Sequence, residues 1–494
     1  MLSQLPLEVW LLIAEHIPED TLKNLYGVNR LFFDLAMGVR YRVVKLNPPA
    51  SVSEASISAL NRVLRLQDPL LSQYVRRLQI SNVPQPEAYA LPPRTEPSLV
   101  QYFGSKLLEA AAFVRDAGFH VDHAKVQQAL QLVLESLPKV SELAIELWKV
   151  PVVHQLNNLS GPQALSADEV QGLARNVYSS LALSLHTLVL TGMPDSLAQL
   201  IEPLLDSKAT MEMSNLRRLE LHIVHDPGST TRPWSEIVAP FVNSFGPHLE
   251  ELRVVSYPAI SLSGFFNALG NFPCLRTIHV YAPFNAAFQH DAQGFIRFLH
   301  RHASTLQTLT LRLNPNRSAL NSDAEASLSN CLDHDLFVQD VPFCGLRQLT
   351  IYPTRLQAGQ DAVTRCLQVS GRLLTSLAVR DSYYTQAQVD DLVSALPHGG
   401  ATLRRLRMNV LILNGTLLDL LSVKTAFIVE LTISSMVYGV GDEDSPTHFQ
   451  HELSQRSYHG WPLHTINLRQ KGAELDKSTM ECIARCLPSL ATSC

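Results

Sequence analysis

The residue types that most often carry catalysis are present, but not at the spacings that catalysis uses. The seven cysteines include no C-x-x-C pair. His300 with His302 and Cys482 with Cys486 are close pairs that lack a third and fourth ligand at metal-binding spacing. No glycine-rich phosphate loop, G-x-S-x-G or H-E-x-x-H motif occurs. We therefore expect no catalytic activity, no metal and no cofactor, and we predict a protein that works by binding.

Composition limits the class of partner and the compartment. The 494 residues carry 40 Lys+Arg against 45 Asp+Glu, a formal net charge of −5, which argues against a large nucleic-acid-binding surface. No apolar run reaches the length of a membrane span, and the first residues lack the basic start of a signal peptide. The odd number of cysteines favours a reducing compartment. We predict no nucleic-acid or membrane partner, and a cytoplasmic and/or nuclear location.

The elements that would position a binding surface come from repetition. Of the 494 residues, 80 are Leu. A hexapeptide, apolar-x-x-apolar-x-apolar, begins at Leu185, Leu216, Leu249, Leu275, Leu306, Leu346, Leu374 and Leu403, with weaker copies at Val75, Val140, Ile428 and Leu463. From Leu185 to Ile428 the period is loose and close to 30 residues.

Each hexapeptide predicts a strand, and the residues after it predict a helix. Positions 4 and 6 alternate with polar residues, as in a half-buried strand, and position 1 turns into the same core. Ser196, Ser261 and Thr385 are candidate N-caps of the following helices. One strand and one helix cannot bury their apolar faces alone, so stacked copies must share a continuous core. The fold class is therefore α/β, with parallel strands on one side and helices on the other.

This pattern resembles the leucine-rich-repeat family, in its longer ribonuclease-inhibitor-like class, over residues about 130–490. The resemblance implies a solenoid with parallel strands on the concave face and helices on the convex face. The Asn or Cys that usually follows the strand is irregular here, so the repeats are degenerate. An ordinary α/β domain with parallel strands is the alternative.

Residues 1–46 lack the hexapeptide and predict three short helices. The first runs from about Pro6 to Ile17 and is ended by Pro18. Asp20 is a candidate N-cap for a second helix, through Thr21–Tyr26, and Asn29 for a third, through about Met37. So small a unit cannot bury all of its apolar residues among its own helices. Part of this surface must contact something else, either the chain's own first repeat or a partner.

The same residues resemble an F-box, a module that binds a Skp-type adaptor and through it a cullin. The pattern is Leu-Pro-x-Glu-Val at the start, a leucine in the second helix, and Val-Asn-Arg before an aromatic residue, although Phe33 stands where many members have Trp. Carried over residue by residue, the resemblance implies an adaptor-binding face formed by Leu5, Pro6, Glu8, Val9, Ile13, Leu22, Leu25 and Val28.

Three segments follow from these patterns: the F-box-like module at 1–46, atypical capping repeats with a proline-rich loop at 47–135, and the solenoid at 136–494. In the second segment, 53–66, 99–117 and 124–137 predict helices, and five prolines between Pro84 and Pro97 predict an irregular loop. The sequence also predicts a long projecting loop at 437–460, which contains Ser445.

Positions 3, 5 and 7 of each repeat would project from the concave face. From the repeat at Leu249 to the one at Leu403 they include five arginines, with aromatic and polar residues between them and Glu251 as the opposing charge. Arginine and tyrosine are enriched at binding hot spots, and guanidinium groups favour carboxylate or phosphate. The predicted target-binding residues are Arg253, His279, Tyr281, Arg312, Tyr352, Arg380, Arg405 and Arg407. Their ligand would be an acidic or phosphorylated segment of a protein; a merely solvated face is the alternative.

Two function classes follow. The first is the substrate-receptor subunit of a Skp/cullin/F-box (SCF) ubiquitin ligase, which holds a target near a ubiquitin-charged enzyme. The second is a non-catalytic leucine-rich-repeat scaffold outside a ubiquitin ligase. An enzyme is a distant third.

Overall fold

The structure of the chain, a computed structural model, describes residues 6–46, 66–81, 131–147, 167–205, 213–224, 234–257, 262–284, 292–313, 322–338, 342–354, 356–438, 446–470 and 472–490. It has two compact units: unit 1 comprises Met1–Arg232 and Pro240–Phe245, and unit 2 comprises Pro233–Ala239 and Gly246–Cys494. The domain boundaries predicted after residues 46 and 135 stay predictions. The helix predicted at 99–117, most of that at 53–66 and the proline-rich loop lie outside the described residues.

Unit 1 begins with helices and continues as alternating strands and helices. Its elements are α1 Leu7–Glu15, α2 Glu19–Leu22, α3 Arg30–Tyr41, β1 Val43–Leu46, α4 Pro69–Ser72, β2 Arg77–Ser81, a helical stretch at 131–135, β3 Glu142–Leu147, α5 Ala167–Leu181, β4 Thr187–Gly192, α6 Pro194–Leu205 and β5 Arg218–Ile223. Strands β1 to β5 pair in chain order, all parallel. Helix α7 spans Trp234–Ser244, and the division between the units runs through it.

Unit 2 repeats the alternation. Its elements are β6 Glu251–Ser256, α8 Ser263–Ala268, β7 Thr277–Tyr281, α9 Gln293–Arg301, β8 Thr308–Arg312, α10 Ser322–Asn330, β9 Gln348–Ile351, α11 Gln357–Ser370, β10 Ser376–Tyr384, α12 Gln386–Ser394, β11 Arg405–Leu413, α13 Gly415–Lys424, β12 Glu430–Tyr438, α14 Pro446–Ser454, β13 Thr465–Gln470, β14 Ala473–Glu474 and α15 Lys477–Cys486. Strands β6 to β13 pair in chain order and parallel, and β14 is antiparallel to β13.

The hexapeptide fixes where strands begin. Each of the twelve copies contains a strand, and every strand from β2 to β13 begins two residues after the first residue of its copy. The side chains at positions 1, 4 and 6 are buried throughout, except that Ile466 is half-buried. The predicted α/β class with a parallel sheet is therefore confirmed, and the strand order within each unit is consistent with a repeat solenoid.

A repeated backbone contact sets the register. The amides at positions 2 and 3 of one copy both donate to the position-2 carbonyl of the preceding copy. In unit 2, Arg276 and Thr277 donate to Glu250, at 2.9 and 3.0 Å, and Gln307 and Thr308 donate to Arg276, at 2.8 and 2.9 Å. The same contact joins the later copies, so neighbouring strands start level and equivalent side chains align in rows across the sheet.

Helices α1 to α3 pack into a small core of their own. Ala14, Leu22 and Phe32 are buried in it, and the Trp10 ring meets the Phe32 ring edge-on with centroids 5.6 Å apart. The Asn29 side chain accepts a hydrogen bond from the Phe32 amide at 2.9 Å, which confirms Asn29 as the N-cap of α3. The predicted three-helix count is confirmed for residues 6–46.

The second helix differs from its prediction. The N-cap of α2 is Pro18, not Asp20; Asp20 lies inside the first turn and pairs with Lys23 at 3.0 Å. The fixed φ of proline suits a helix start, and the Pro18 carbonyl accepts hydrogen bonds from the amides of Thr21 and Leu22 at 2.9 Å each, while no side chain caps the helix.

Two later predictions also need correction. Ser196 is not an N-cap, because α6 already begins at Pro194; Thr385 is confirmed, in a capping box with Gln388, and Ser261 lies outside the described residues. The loop predicted at 437–460 is wrong at 437–438, where β12 continues to Tyr438, and at 446–454, where α14 occupies Pro446–Ser454. Residues 439–445, including Ser445, lie outside the described residues.

Candidate functional sites

Helix α1 is apolar on two sides, and only one is buried. Ala14, with Trp10 beside it, faces the three-helix core. Val9, Leu12 and Ile13, spaced i, i+3 and i+4, form a second side that is exposed, with Leu12 57% exposed. We call Val9, Leu12 and Ile13 the α1 apolar face. A helix in water does not need such a face for its own stability, so the α1 apolar face is available to another surface.

The structure separates the predicted adaptor-binding residues into two groups. Exposed residues are Pro6, Glu8, Val9, Ile13 and Val28. Leu22 is buried between Ala14 and Phe32, and Leu25 is partly buried against the same core, so these two side chains support the helices instead of facing outward. Leu5 lies outside the described residues. Sequence reasoning missed Leu12, although its i, i+3 spacing from Val9 signals the same side of the helix.

The predicted target-binding residues lie on neighbouring strands of unit 2, except that Tyr352 directly follows β9. Positions 4 and 6 of each repeat point into the core, so positions 3, 5 and 7 share the opposite side of the sheet. We call the side formed by positions 3, 5 and 7 the polar strand face of unit 2. The structure brings the eight predicted residues onto this face; whether they bind a target stays a prediction.

Arginine and tyrosine side chains alternate along this face. The guanidinium carbon of Arg253 lies 5.4 Å from the centre of the Tyr281 ring. Arg312 and Arg380 lie over the Tyr352 ring at 4.9 and 5.6 Å. Stacking on an aromatic face is favourable for a guanidinium and limits its rotamers. We call Arg253, Tyr281, Arg312, Tyr352 and Arg380 the arginine–tyrosine ladder.

Tyr352 holds two members of the ladder. Its side chain is buried, and its hydroxyl accepts a hydrogen bond from Nη1 of Arg380 at 3.1 Å. The pKa of Tyr281 is raised above its ordinary value, mainly by burial and also by Tyr352 nearby. Arg253, Arg312 and Arg380 offset part of this rise. The ladder is therefore a compact group of like charges kept apart by rings, and Tyr281 remains a neutral hydrogen-bonding group.

A strand irregularity supplies a carboxylate that the sequence pattern did not predict. The register between β10 and β11 shifts between Ala378 and Tyr383, and Asp381 in this interval has a φ of 63°. Its Oδ2 lies 3.3 Å from Nη2 of Arg312. Asp tolerates the left-handed region better than most residues, and such an irregularity re-aims a side chain. Arg312 is thus neutralised within the face.

Toward β11 and β13, the polar strand face of unit 2 keeps its positive charge. Arg407 lies beside Ala378 on β10 and Thr432 on β12, and the described residues place no carboxylate in contact with it. Burial, with Arg380 and Arg469 nearby, lowers the pKa of Arg407 from its ordinary value. Arg469, on β13, was missed because the prediction stopped at the repeat of Leu403. This end therefore collects positive charge that an anionic ligand would stabilise.

His279, one of the predicted target-binding residues, lies beside a carboxylate. Its Nε2 is 3.6 Å from Oε1 of Glu251 on the neighbouring strand. Among the described residues no group of three or more His, Cys, Asp and Glu side chains could hold a metal ion. Burial raises the pKa of the Cys331 thiol and of the Cys366 thiol to about 12 each, which keeps both protonated and unreactive. In the described helices no segment has the length and hydropathy of a membrane span.

Comparisons with known proteins leave the family open. No family model matches the chain, and no curated protein matches it. Among solved structures, a chain from "Crystal structure of Rad7 and Elc1 complex in yeast" aligns with a TM-score of 0.37 and 14% sequence identity, over 89% of this chain and 92% of that one. At this TM-score the similarity supports no inference about fold or function.

Proposed function

We propose that this protein is the substrate-receptor subunit of a Skp/cullin/F-box ubiquitin ligase. In this proposal the N-terminal helices bind a Skp-type adaptor, which links the chain to a cullin, and the polar strand face of unit 2 binds the protein to be ubiquitinated. The chain itself is not an enzyme and needs no cofactor. It raises the local concentration of a target near the enzyme that modifies it.

The observation that carries the proposal is the α1 apolar face. Val9, Leu12 and Ile13 are exposed next to a core that is already filled by Ala14, Leu22 and Phe32. Adjacent apolar side chains that are not needed for folding are typical of a surface that meets a partner. Val9 and Ile13 also belong to the F-box-like pattern of the sequence, which favours a Skp-type adaptor as that partner.

The test is capture of a purified Skp-type adaptor by the full chain. We expect the unaltered protein to bind, and the double variant Val9→Asp/Ile13→Asp to lose about thirty-fold in affinity, since central interface side chains contribute 2 kcal/mol or more. Leu183→Asp is the matched control, because Leu183 is 73% exposed and lies far along the sequence from α1. Circular dichroism checks that each variant keeps its helices.

Two outcomes would redirect the proposal. Undiminished capture by the double variant would remove the α1 apolar face from the interface. Failure of the unaltered protein to capture the adaptor would end the ligase proposal and leave the scaffold hypothesis, for which the polar strand face of unit 2 is sufficient.

A further inference from the structure

Three neighbouring strands of unit 2 are longer than the rest. β10, β11 and β12 have nine residues each, whereas the other parallel strands of unit 2 have four to six. The extra residues continue the sheet past position 7 of the repeat. Among the described strands of unit 2, the polar strand face is therefore extended furthest at β10 to β12.

The extension carries apolar side chains on its outer side. In β11, burial alternates so that Leu411 shares a side with Arg407 and Asn409, while Met408 and Val410 are buried. Met436 of β12 is exposed in the same way, and the register pairs Val410 with Ser435 and Ile412 with Val437 on either side of it. Leu411 and Met436 are each 39% exposed. We call Leu411 and Met436 the apolar row.

The apolar row lies beyond a set of positive charges on the same strands. Counting back along β11, the outward residues are Leu411, Asn409 and Arg407. Asn409 and Ser434 pair with each other, and Ser434 pairs with Arg469 on β13, so the row between is polar and carries Arg469. Moving along the strands, the surface changes from basic through polar to apolar.

At the basic end, some arginines have a carboxylate nearby and others do not. Arg312 is paired with Asp381, and Arg405 stands opposite Glu430 in the register. In the described part of the chain Arg407 has no such neighbour, and the hydrogen bond from Arg380 goes to the Tyr352 hydroxyl and not to a carboxylate. Clustered guanidinium groups without a carboxylate attract an anion, which the apolar row cannot supply.

The distance between Arg407 and Leu411 limits which ligands can contact both. Arg407 and Leu411 are four residues apart on one strand, a distance of about 13 Å at 3.3 Å per residue. An extended segment lying along the strand direction spans the same distance in four residues, with both side chains on one side of it. Resting on the target-binding half of the proposed function, we propose that this surface binds an extended protein segment with an anionic side chain and, four residues away, a bulky apolar one.

Two sources of the anion share this chemistry, a carboxylate and a phosphorylated hydroxyl. A phosphate carries nearly two charges at neutral pH and three acceptor oxygens, so it gains more from Arg380, Arg407 and Arg469 together than a carboxylate does. The surface accommodates either, and the difference in affinity identifies the source.

The experiment uses fluorescein-labelled decapeptides of glycine and serine that carry one Glu or one phosphoserine and one Leu. The separation is two, four or six residues, in both orders, and binding to the full chain is followed by fluorescence anisotropy. We expect the tightest binding at a separation of four in one of the two orders. Arg407→Glu and Leu411→Asp should each weaken it about ten-fold or more, and added salt should weaken the Arg407 contribution selectively.

Matched controls separate this site from general changes of charge or solubility. Arg372→Glu makes the same charge change at an exposed residue of the short helix Gly371–Leu373, and Val423→Asp makes the same apolar-to-acidic change on α13, where Val423 is 76% exposed. Both should bind the peptide as the unaltered protein does. Arg407→Gln, which removes the charge without reversing it, should give an intermediate loss and covers the case in which Arg407→Glu unfolds.

The following results would overturn the inference. If affinity does not depend on the separation between the anionic residue and the Leu of the peptide, the surface does not bind the two residues together. Unchanged binding by Arg407→Gln and Leu411→Asp would exclude the surface itself. Tighter binding of a ten-nucleotide oligothymidine, lost in Arg407→Gln but not in Leu411→Asp, would make this a nucleic-acid surface. Adaptor capture by the same variants should be unaffected, so failure here and failure of the ligase proposal are distinguishable.

Discussion

The strand faces of the two units are built from the same positions of the same repeat but treat charge differently. In unit 1, Oε1 of the largely buried Glu220 accepts from Nε of Arg218 at 2.8 Å, and its Oε2 lies 3.2 Å from Nε2 of His222. Gln79 donates to Glu146 at 2.9 Å on the neighbouring strand. In unit 2, positions 3, 5 and 7 of β6 to β13 hold six arginines against two glutamates. In unit 1 these charged side chains pair with one another, whereas in unit 2 the arginines outnumber the glutamates and leave a net positive charge on the face.

The difference separates a structural role from a binding role. A charge paired within the fold stabilises the fold and is expensive to unpair, because its partner is then left buried and alone. A charge that rests on an aromatic ring is held in place without being neutralised. The unit 2 face is therefore organised before any ligand arrives, and an anion would find the arginines already positioned.

The largest expected effect comes from Tyr352→Ala. This change removes a buried ring on which Arg312 and Arg380 both rest, so we expect a loss of about 3 kcal/mol in the free energy of unfolding. Chemical denaturation of the full chain measures it. Tyr352→Phe, which keeps the ring and loses only the hydrogen bond from Arg380, should cost about 1 kcal/mol or less. Equal losses in the two variants would mean that the ring does not hold the ladder.

A pair of charge-removing variants tests the comparison directly. Glu220→Gln in unit 1 should lower the free energy of unfolding by about 1–2 kcal/mol, because Arg218 loses a charged acceptor in a largely buried position. Arg407→Gln in unit 2 should change it by less than about 0.5 kcal/mol, because a charge next to Arg380 and Arg469 is removed without unpairing any carboxylate in contact. The same denaturation measurement applies to both, and a larger loss for Arg407→Gln would reverse the comparison.

The smallest expected effect comes from Asp381→Asn. Asn tolerates the positive φ as Asp does, so the backbone should keep its shape while Arg312 loses its carboxylate. The unit 2 face then resembles unit 1 even less, and its affinity for the anionic decapeptides should rise about two- to three-fold in the anisotropy assay. Unchanged affinity would mean that Arg312 does not contribute to the field at the basic end.

Local sequence signals predicted much of the fold because the repeat is local. The hexapeptide alone specifies where each strand from β2 to β13 begins, and Asn29 and Thr385 mark helix starts through their own side chains. The start of α2 at Pro18 was missed because an acidic residue two positions later imitates a cap. Residues 446–454 were mistaken for a loop because the glycine-containing run before them, together with Pro446 at their start, resembles a linker.

The residue types of the candidate sites could be predicted from the sequence, but the arrangement of their side chains could not. Repeat positions identify Arg312 and Tyr352 as neighbours on the outer side, but no periodicity reveals the register shift that turns Asp381 toward Arg312. The apolar row was not predicted from the sequence for a related reason. Leu411 and Met436 lie past the end of the hexapeptide, so only the observed strand length shows that they continue the face.

The surplus of arginine on the unit 2 face has a kinetic consequence. Unneutralised charge acts over roughly a Debye length, about 8 Å at physiological salt, so it accelerates the encounter with an acidic client before any contact forms. Apolar contacts act only at touching distance and govern how long a client stays. Raising the ionic strength should therefore slow arrival while leaving residence time nearly constant, which makes the two ends of one surface separately tunable.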